Sequence, residues 1–139
     1  IYSASQGLKN FGTGVFPSHW LEMAKSRLYD GDAKAAWTIH RIVRDYLQAF
    51  SPICPFFTHY LSTTLYGESA VDACHFPKLI GINDELLSLT EPIMNFNSIV
   101  WKTKKEMGIS LNSEIQGMNI PAELENFSVQ LTNMHKLIS

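Results

Sequence analysis

The chain has 139 residues, of which 45% are hydrophobic, 12% aromatic and 17% charged. That length fits one domain able to bury a core without disulfides or a metal, and the apolar content argues against disorder. Lys and Arg number 11 against 13 Asp and Glu, a net charge of -2, which excludes a globally basic nucleic-acid binder but not a local basic face.

Residues 15–29 set Phe16, Trp20, Met23, Ala24 and Leu28 at three- and four-residue steps, an amphipathic helix. Pro17 marks its first turn, or a kink if the helix starts earlier, near Ser5; Gly7, Gly12 and Gly14 weaken that earlier part. Asp30-Gly31-Asp32 ends this helix and caps the next, from about Ala33 to Ala49. The second helix carries two apolar stripes, with Ala36, Val43, Leu47 and Phe50 on one and Ala35, Ile39, Ile42, Tyr46 and Ala49 on the other. Such a helix packs on two sides, as the central member of a bundle does.

Ser51-Pro52 stops it, and a third helix runs from near Pro55 to Gly67 with Phe56, Phe57, Tyr60, Leu61 and Leu65. Tyr46 to Gly67 holds no Asp, Glu, Lys or Arg, yet Pro52, Pro55, Gln48, His59 and five Ser or Thr make it half polar. A bilayer span needs about 20 predominantly apolar residues, so this stretch reads as a loop joining two buried helices, and no membrane partner is expected. Residues 68–82 form a connection closed by Phe76-Pro77. Asn83 caps a long fourth helix with Leu86, Leu89, Ile93, Phe96, Val100 and Met107 on one stripe, which Pro92 bends or breaks. After Gly108, Ile109, Leu111 and Ser113 alternate with polar residues and Gly117, Met118 and Ile120 follow, which predicts one or two short strands. Pro121 opens a last helix with Phe127, Leu131 and Met134. The expected fold is mainly α: a helical bundle over residues 1–82, then a long helix, short strands and a C-terminal helix over 83–139, a small α/β extension.

No signal peptide is expected at the N-terminus, and Cys54 and Cys74 read as reduced thiols, which together imply a cytoplasmic protein. The first residue is Ile1 rather than Met, which fits a piece of a longer chain.

Catalytic and metal-binding patterns are weak. Cys74-His75 are adjacent, but neighbouring side chains diverge and do not make a nucleophile–base pair. His19, His40, His59, His75 and His135 fall one per element, without zinc-ligand spacing. Gly12-Thr13-Gly14 lacks the third glycine and preceding strand of a dinucleotide loop. The chain by itself carries no catalytic or metal site.

Positive charge gathers in two places. Lys25 and Arg27 precede the Tyr29-Asp30-Gly31 turn, joined by Arg41 and Arg44 on the next helix. Lys102, Lys104 and Lys105 follow Trp101, and Asn97, Trp101, Lys104 and Lys105 share a side at helical spacing. Asp84, Glu85 and Glu91 lie at the other end of that helix. One account is complementarity to the helix dipole, about 0.3–1 kcal/mol per charge. The other is a nucleic-acid face, where phosphates meet Lys and Arg and an exposed base stacks on Trp, about 1–3 kcal/mol per base.

Residues 16–29, from Phe16-Pro17-Ser18-His19-Trp20-Leu21-Glu22 to Lys25-Ser26-Arg27-Leu28-Tyr29, resemble a helix in the anticodon-binding domain of class I aminoacyl-tRNA synthetases, with its aromatic-x-Glu-x-x-Lys-x-Arg pattern. Phe50-Ser51-Pro52-Ile53-Cys54-Pro55-Phe56-Phe57-Thr58 is similar to the family's Pro-x-x-Pro-aromatic start of the following helix, and Ser69 to Pro77 to its short link ending in Phe-Pro or Trp-Pro. Phe96 to Trp101, Lys102, Lys104-Lys105-Glu106, Gly108-Ile109-Ser110-Leu111-Asn112 and Met134-His135-Lys136 are most similar to the archaeal-type valyl branch. Two features depart from the family: Thr58-His59-Tyr60 stands where Thr-Glu-Glu is common, and the HIGH-like and KMSKS-like ATP-site signatures are absent.

The resemblance implies a non-catalytic fragment that orients the tRNA anticodon stem-loop within a valine–tRNA ligase. Catalytic and editing domains of the same chain would be its other partners. No cofactor is expected in this piece; ATP and magnesium belong to the full enzyme. Lys25, Arg27 and Arg44 are the candidates for backbone phosphates, and Trp101 with Lys102 and Lys105 for a base or loop contact. Alternatives are the same domain of a leucyl or isoleucyl enzyme, or a free-standing helical adaptor that binds protein through its aromatic surface.

Overall fold

The computed structural model describes residues 2–68, 76–78 and 81–138. Its elements are α1 (Tyr2–Asn10), a π-helical segment (Phe11–Leu21), α2 (Glu22–Tyr29), α3 (Ala33–Phe50), α4 (Pro55–Tyr66), α5 (Asp84–Ser88) and α6 (Thr90–Glu106). There follow β1 (Ile115–Gln116), a 3-10 turn (Ala122–Phe127), α7 (Ser128–His135) and β2 (Leu137–Ile138). The chain is mainly α. It divides into two compact units, one of Ile1–Leu21 with Gly31–Ile80 and one of Glu22–Asp30 with Gly81–Ser139.

In the first unit the helix reaches back to Tyr2, and Pro17 falls inside the π-helical segment. Proline has no N–H to donate and crowds the carbonyl four residues back, and the wider π turn relieves that crowding. Gly12 and Gly14, poor α-formers, add little resistance to the change of register. α3 packs against both α1 and α4, as its two stripes require. Asp32 caps it: the carboxylate accepts from the N–H groups of Lys34 (2.8 Å) and Ala35 (3.2 Å). Asp32→Ala is therefore expected to lower stability by about 1 kcal/mol, read as a shift of the urea midpoint; an unchanged midpoint would show that the cap is dispensable.

Pro55 begins α4 at its first turn, and Gly67, at φ 67°, ends it in the left-handed region that costs glycine nothing. Thr58 is buried and its hydroxyl donates back to the first turn, to the carbonyls of Cys54 (3.0 Å) and Pro55 (3.1 Å). The expectation that α4 is buried fails on its other side. Phe56 is 90% exposed, Tyr60 67% and Phe57 55%. Aromatic content alone does not reveal which face has a neighbour. Cys54 is a half-buried free thiol. Cys74, His75 and most of the Ser69–Pro77 link lie outside the described residues.

The second unit holds most of the buried apolar side chains among the described residues. Ile93, Phe96 and Val100 on α6 are buried with Ile115, Leu124 and Leu131, and Met23 is buried on α2, which packs on α7. Asn83 caps the short α5 through the Leu86 N–H, the helix breaks at Leu89, and Pro92 sits in the first turn of α6. Leu86 and Met107, placed on the apolar stripe by periodicity, are exposed because the break changes the helix register and Met107 lies beyond the last turn. Residues 109–113, expected as a strand, form a turn closed by the Ser113 N–H to the Ser110 carbonyl. The extended pair is instead β1 with β2, parallel, with Ile115 opposite Leu137 and Gln116 opposite Ile138. Lys136, at φ 52°, ends α7 and redirects the chain into β2, and its carbonyl accepts from the Ile115 N–H at 3.1 Å.

Candidate nucleic-acid interface

The cationic candidates are best described unit by unit. In the second unit, Lys25 and Arg27 stand on α2. Lys25 is half-buried and ion-paired with Glu22 one turn earlier, and that hydrogen bond holds its pKa above the ordinary lysine value. Arg27 is exposed. On α6, Lys102 is exposed and lies 3.8 Å from Glu106, a loose i,i+4 pair worth little in water. Lys105 is exposed too, and among the described residues no salt bridge holds it. These two ammonium groups are accessible to an anion.

Lys104, between them in sequence, is not. Its side chain is fully buried, and its Nζ donates to three backbone carbonyls: Leu111 (2.8 Å), Ser113 (2.7 Å) and His135 (2.7 Å). Burial, and next the charge of Lys136, depress its pKa below the ordinary lysine value. The three carbonyl dipoles oppose that shift by stabilising the ammonium, and three acceptors match its three donors.

Lys104 belongs to a constellation that also takes Asn97 and Trp101. Asn97, Trp101 and Lys104 follow one another at one-turn steps of α6 and converge on His135. The Asn97 Oδ1 lies 2.7 Å from His135 Nε2, both groups buried, so that nitrogen donates. The Trp101 ring meets the imidazole edge-on, with centroids 5.9 Å apart at 68°, and Phe96 does the same at 6.0 Å and 75°. The helix side that sequence spacing marks as a basic and aromatic face is thus largely a clamp on the end of α7. Trp101 is half-buried in it, and Lys102 and Lys105 flank the clamp on the water side.

In the first unit, Arg41 is held on its own helix by Asp45, its Nε donating to both carboxylate oxygens at 3.0 and 2.9 Å. Arg44 ion-pairs with Glu68, just past the end of α4, and its guanidinium carbon sits 5.3 Å from the centroid of the Tyr66 ring. Sequence spacing could have shown the Glu22, Asp45 and Glu106 partners, each three or four residues from its cation. Glu68, 24 residues from Arg44, gave no such signal.

Other features carry less chemistry. A groove of about 560 Å³ beside β2 is lined by Met118, Ile120, Ser128, Thr132 and Leu137, and its one charged lining residue, Glu125, disfavours an anionic ligand. Among the described residues no group of three or more His, Cys, Asp or Glu is placed to hold a metal ion. Among the described residues no helix is long and apolar enough to cross a membrane.

The chain is 29% identical to the valine–tRNA ligase of Aeropyrum pernix over 98% of its own length, and 32% identical to that of Saccharolobus solfataricus over 83%. It is 27% identical to the valine–tRNA ligase of Pyrobaculum aerophilum over 99% of its length. It spans only 14% to 18% of the length of these relatives. No solved structure matches it significantly. Residues 1–119 match the family described as the anticodon-binding domain of tRNA ligase. With that match running from α1 past the clamp-bearing α6, the chain belongs to the anticodon-binding domain family of tRNA ligases.

Proposed function

We propose that residues 1–139 bind the anticodon stem-loop of tRNA for a valine–tRNA ligase, and that they carry no chemistry of their own. The observation that carries this is the family match together with valine–tRNA ligases aligning along nearly the whole chain. Lys102 and Lys105, exposed beside the half-buried Trp101, support a phosphate-facing edge on α6. Lys25 and Arg27 are further phosphate contacts in this reading, with Arg44 in the first unit.

Attachment of valine with ATP and magnesium would then fall to catalytic and editing domains outside these residues. The description of the matched family as an anticodon-binding domain, and the 14% to 18% of the relatives' length that the chain spans, support that division. The α4 face exposes Phe56, Phe57, His59 and Tyr60 and carries no Lys or Arg, which supports a largely apolar contact there. A cytoplasmic location is part of the same reading.

A mobility shift of the full chain against bulk tRNA tests the proposal. Binding at low salt is expected, and the double variant Lys102→Ala, Lys105→Ala should flatten the dependence of log affinity on log salt by about 1–2. No binding by the parent chain would overturn the tRNA reading. An unchanged slope in the variant would remove the α6 edge from the interface.

A further inference from the structure

We propose that Arg44, seated on the Tyr66 ring, is a phosphate-binding site for RNA whose resident anion in the RNA-free chain is the Glu68 carboxylate. This rests on the tRNA-binding reading above and adds a displaceable internal competitor to it.

The site is assembled from both helices of the α3–α4 pair. Tyr66 is half-buried in the last turn of α4, and burial raises its pKa while Arg44 pulls it the other way. Its hydroxyl donates to the His40 carbonyl at 3.4 Å and lies 3.2 Å from His40 Nδ1, and the imidazole stands edge-on to the phenol ring at 81°. His40 and Arg44 are one turn apart on α3, so the contacts that orient the Tyr66 ring also set it beneath the guanidinium. A guanidinium resting on an aromatic face keeps its outward N–H groups free to form a planar fork. Glu68 occupies that fork through Nη2. A carboxylate presents two oxygens to an arginine much as a phosphate does, so the carboxylate's position is one that a phosphate oxygen can take.

Magnitude decides whether exchange is feasible. Arg44 and Glu68 are 44% and 49% exposed, and a pair in that much water holds by a factor of only about two to five. An RNA backbone, which also releases counterions when a cation binds it, outcompetes such a contact. Arg41 contrasts with this. Its carboxylate partner is one turn away on the same helix, so no long-range contact has to open to release it.

The experiment is a double-mutant cycle on the full chain, with bulk tRNA as the probe and affinity measured across a salt series. Glu68→Gln is expected to tighten binding about two- to five-fold, because the competitor is neutralised while its shape is kept. Arg44→Ala should weaken binding and flatten the salt slope by about one. Glu68→Gln in the Arg44→Ala background should bring no gain, since the carboxylate then guards nothing. Equal tightening by Glu68→Gln with and without Arg44 would overturn the proposal, leaving only a general loss of negative charge. Parent-level affinity in Glu68→Gln, with tRNA binding intact, would overturn it too and leave the tRNA reading standing. Failure of the parent chain to bind tRNA would remove both. Circular dichroism of each variant identifies any loss that comes from unfolding.

Discussion

Lys104→Met should cost the second unit about 2–4 kcal/mol of stability. Methionine fills nearly the same volume and avoids burying a charge, so cavity formation and overpacking contribute little. What it removes is the partner of three carbonyls, those of Leu111, Ser113 and His135, two at 2.7 Å and one at 2.8 Å. An acceptor left buried without a donor costs about 1–3 kcal/mol, in full for the buried His135 carbonyl and less for the part-buried carbonyls of Leu111 and Ser113, which water can reach. The desolvation that depresses the Lys104 pKa opposes this and keeps the total below the simple sum. Urea unfolding of the full chain in a Trp20→Phe, Trp37→Phe background leaves Trp101 as the sole indole, and its fluorescence reports on this unit because the ring rests against His135. A loss below about 1 kcal/mol would show that water or a shifted backbone satisfies the carbonyls as well as the ammonium does.

Gly12→Ala is the second large effect, and its sign depends on a neighbour. In an open helix the change gains about 1 kcal/mol through propensity. Here an added Cβ would stand 2.2 Å from the Tyr46 hydroxyl oxygen and 2.4 Å from its ring carbon, closer than atoms can approach. The ring is flanked by Phe50, stacked at 5.4 Å, and Phe11 at 6.2 Å, contacts that its displacement would disturb. Phe11 and Tyr46, with Phe16, Ile42 and Leu61, also line an apolar cleft of about 180 Å³. Displacing the ring costs about 1–3 kcal/mol, so net destabilisation of about 1–2 kcal/mol is expected from thermal or urea unfolding. In a Tyr46→Leu background the obstacle is gone and Gly12→Ala should become stabilising. Destabilisation of the same size in both backgrounds would place its cause in the π-helical backbone instead of the ring.

Much of the fold was legible because its signals are local. The Asp32 and Asn83 caps, Pro55 at a helix start and Gly67 at a helix end each act within one turn of chain. The buried stripe of Ile93, Phe96 and Val100 follows from helical period alone. The β1–β2 pair escaped because two-residue strands have no period to detect, and the alternation at Ile109–Ser113 belongs to a turn. The π-helical register was hidden for a related reason. Pro17 announces a disturbance but not which register absorbs it.

The candidate interface was legible where charge lies open and illegible where it is used internally. Lys102, Lys104 and Lys105 are equivalent on paper. Only one has the end of α7 above it, and its most distant acceptor lies 31 residues further along the chain. The same distance problem concealed Glu68 from Arg44. Periodicity correctly grouped Asn97, Trp101 and Lys104 on one side of α6, but a shared side does not disclose whether solvent or protein faces it.

The spread of the Lys104 acceptors has a kinetic consequence. Two of the carbonyls lie within the next nine residues and can be reached as soon as the turn after α6 forms, whereas the third requires a loop of 31 residues to close. Until α7 arrives, the ammonium keeps one donor in water and the helix side beneath it stays wet. The contacts that dehydrate the lysine, seat His135 on Asn97 and set β2 beside β1 all lie at the end of α7 and need its docking. The second unit should therefore mature late, and a ribosome that pauses before residue 135 would hold a nascent chain whose central cation is still hydrated.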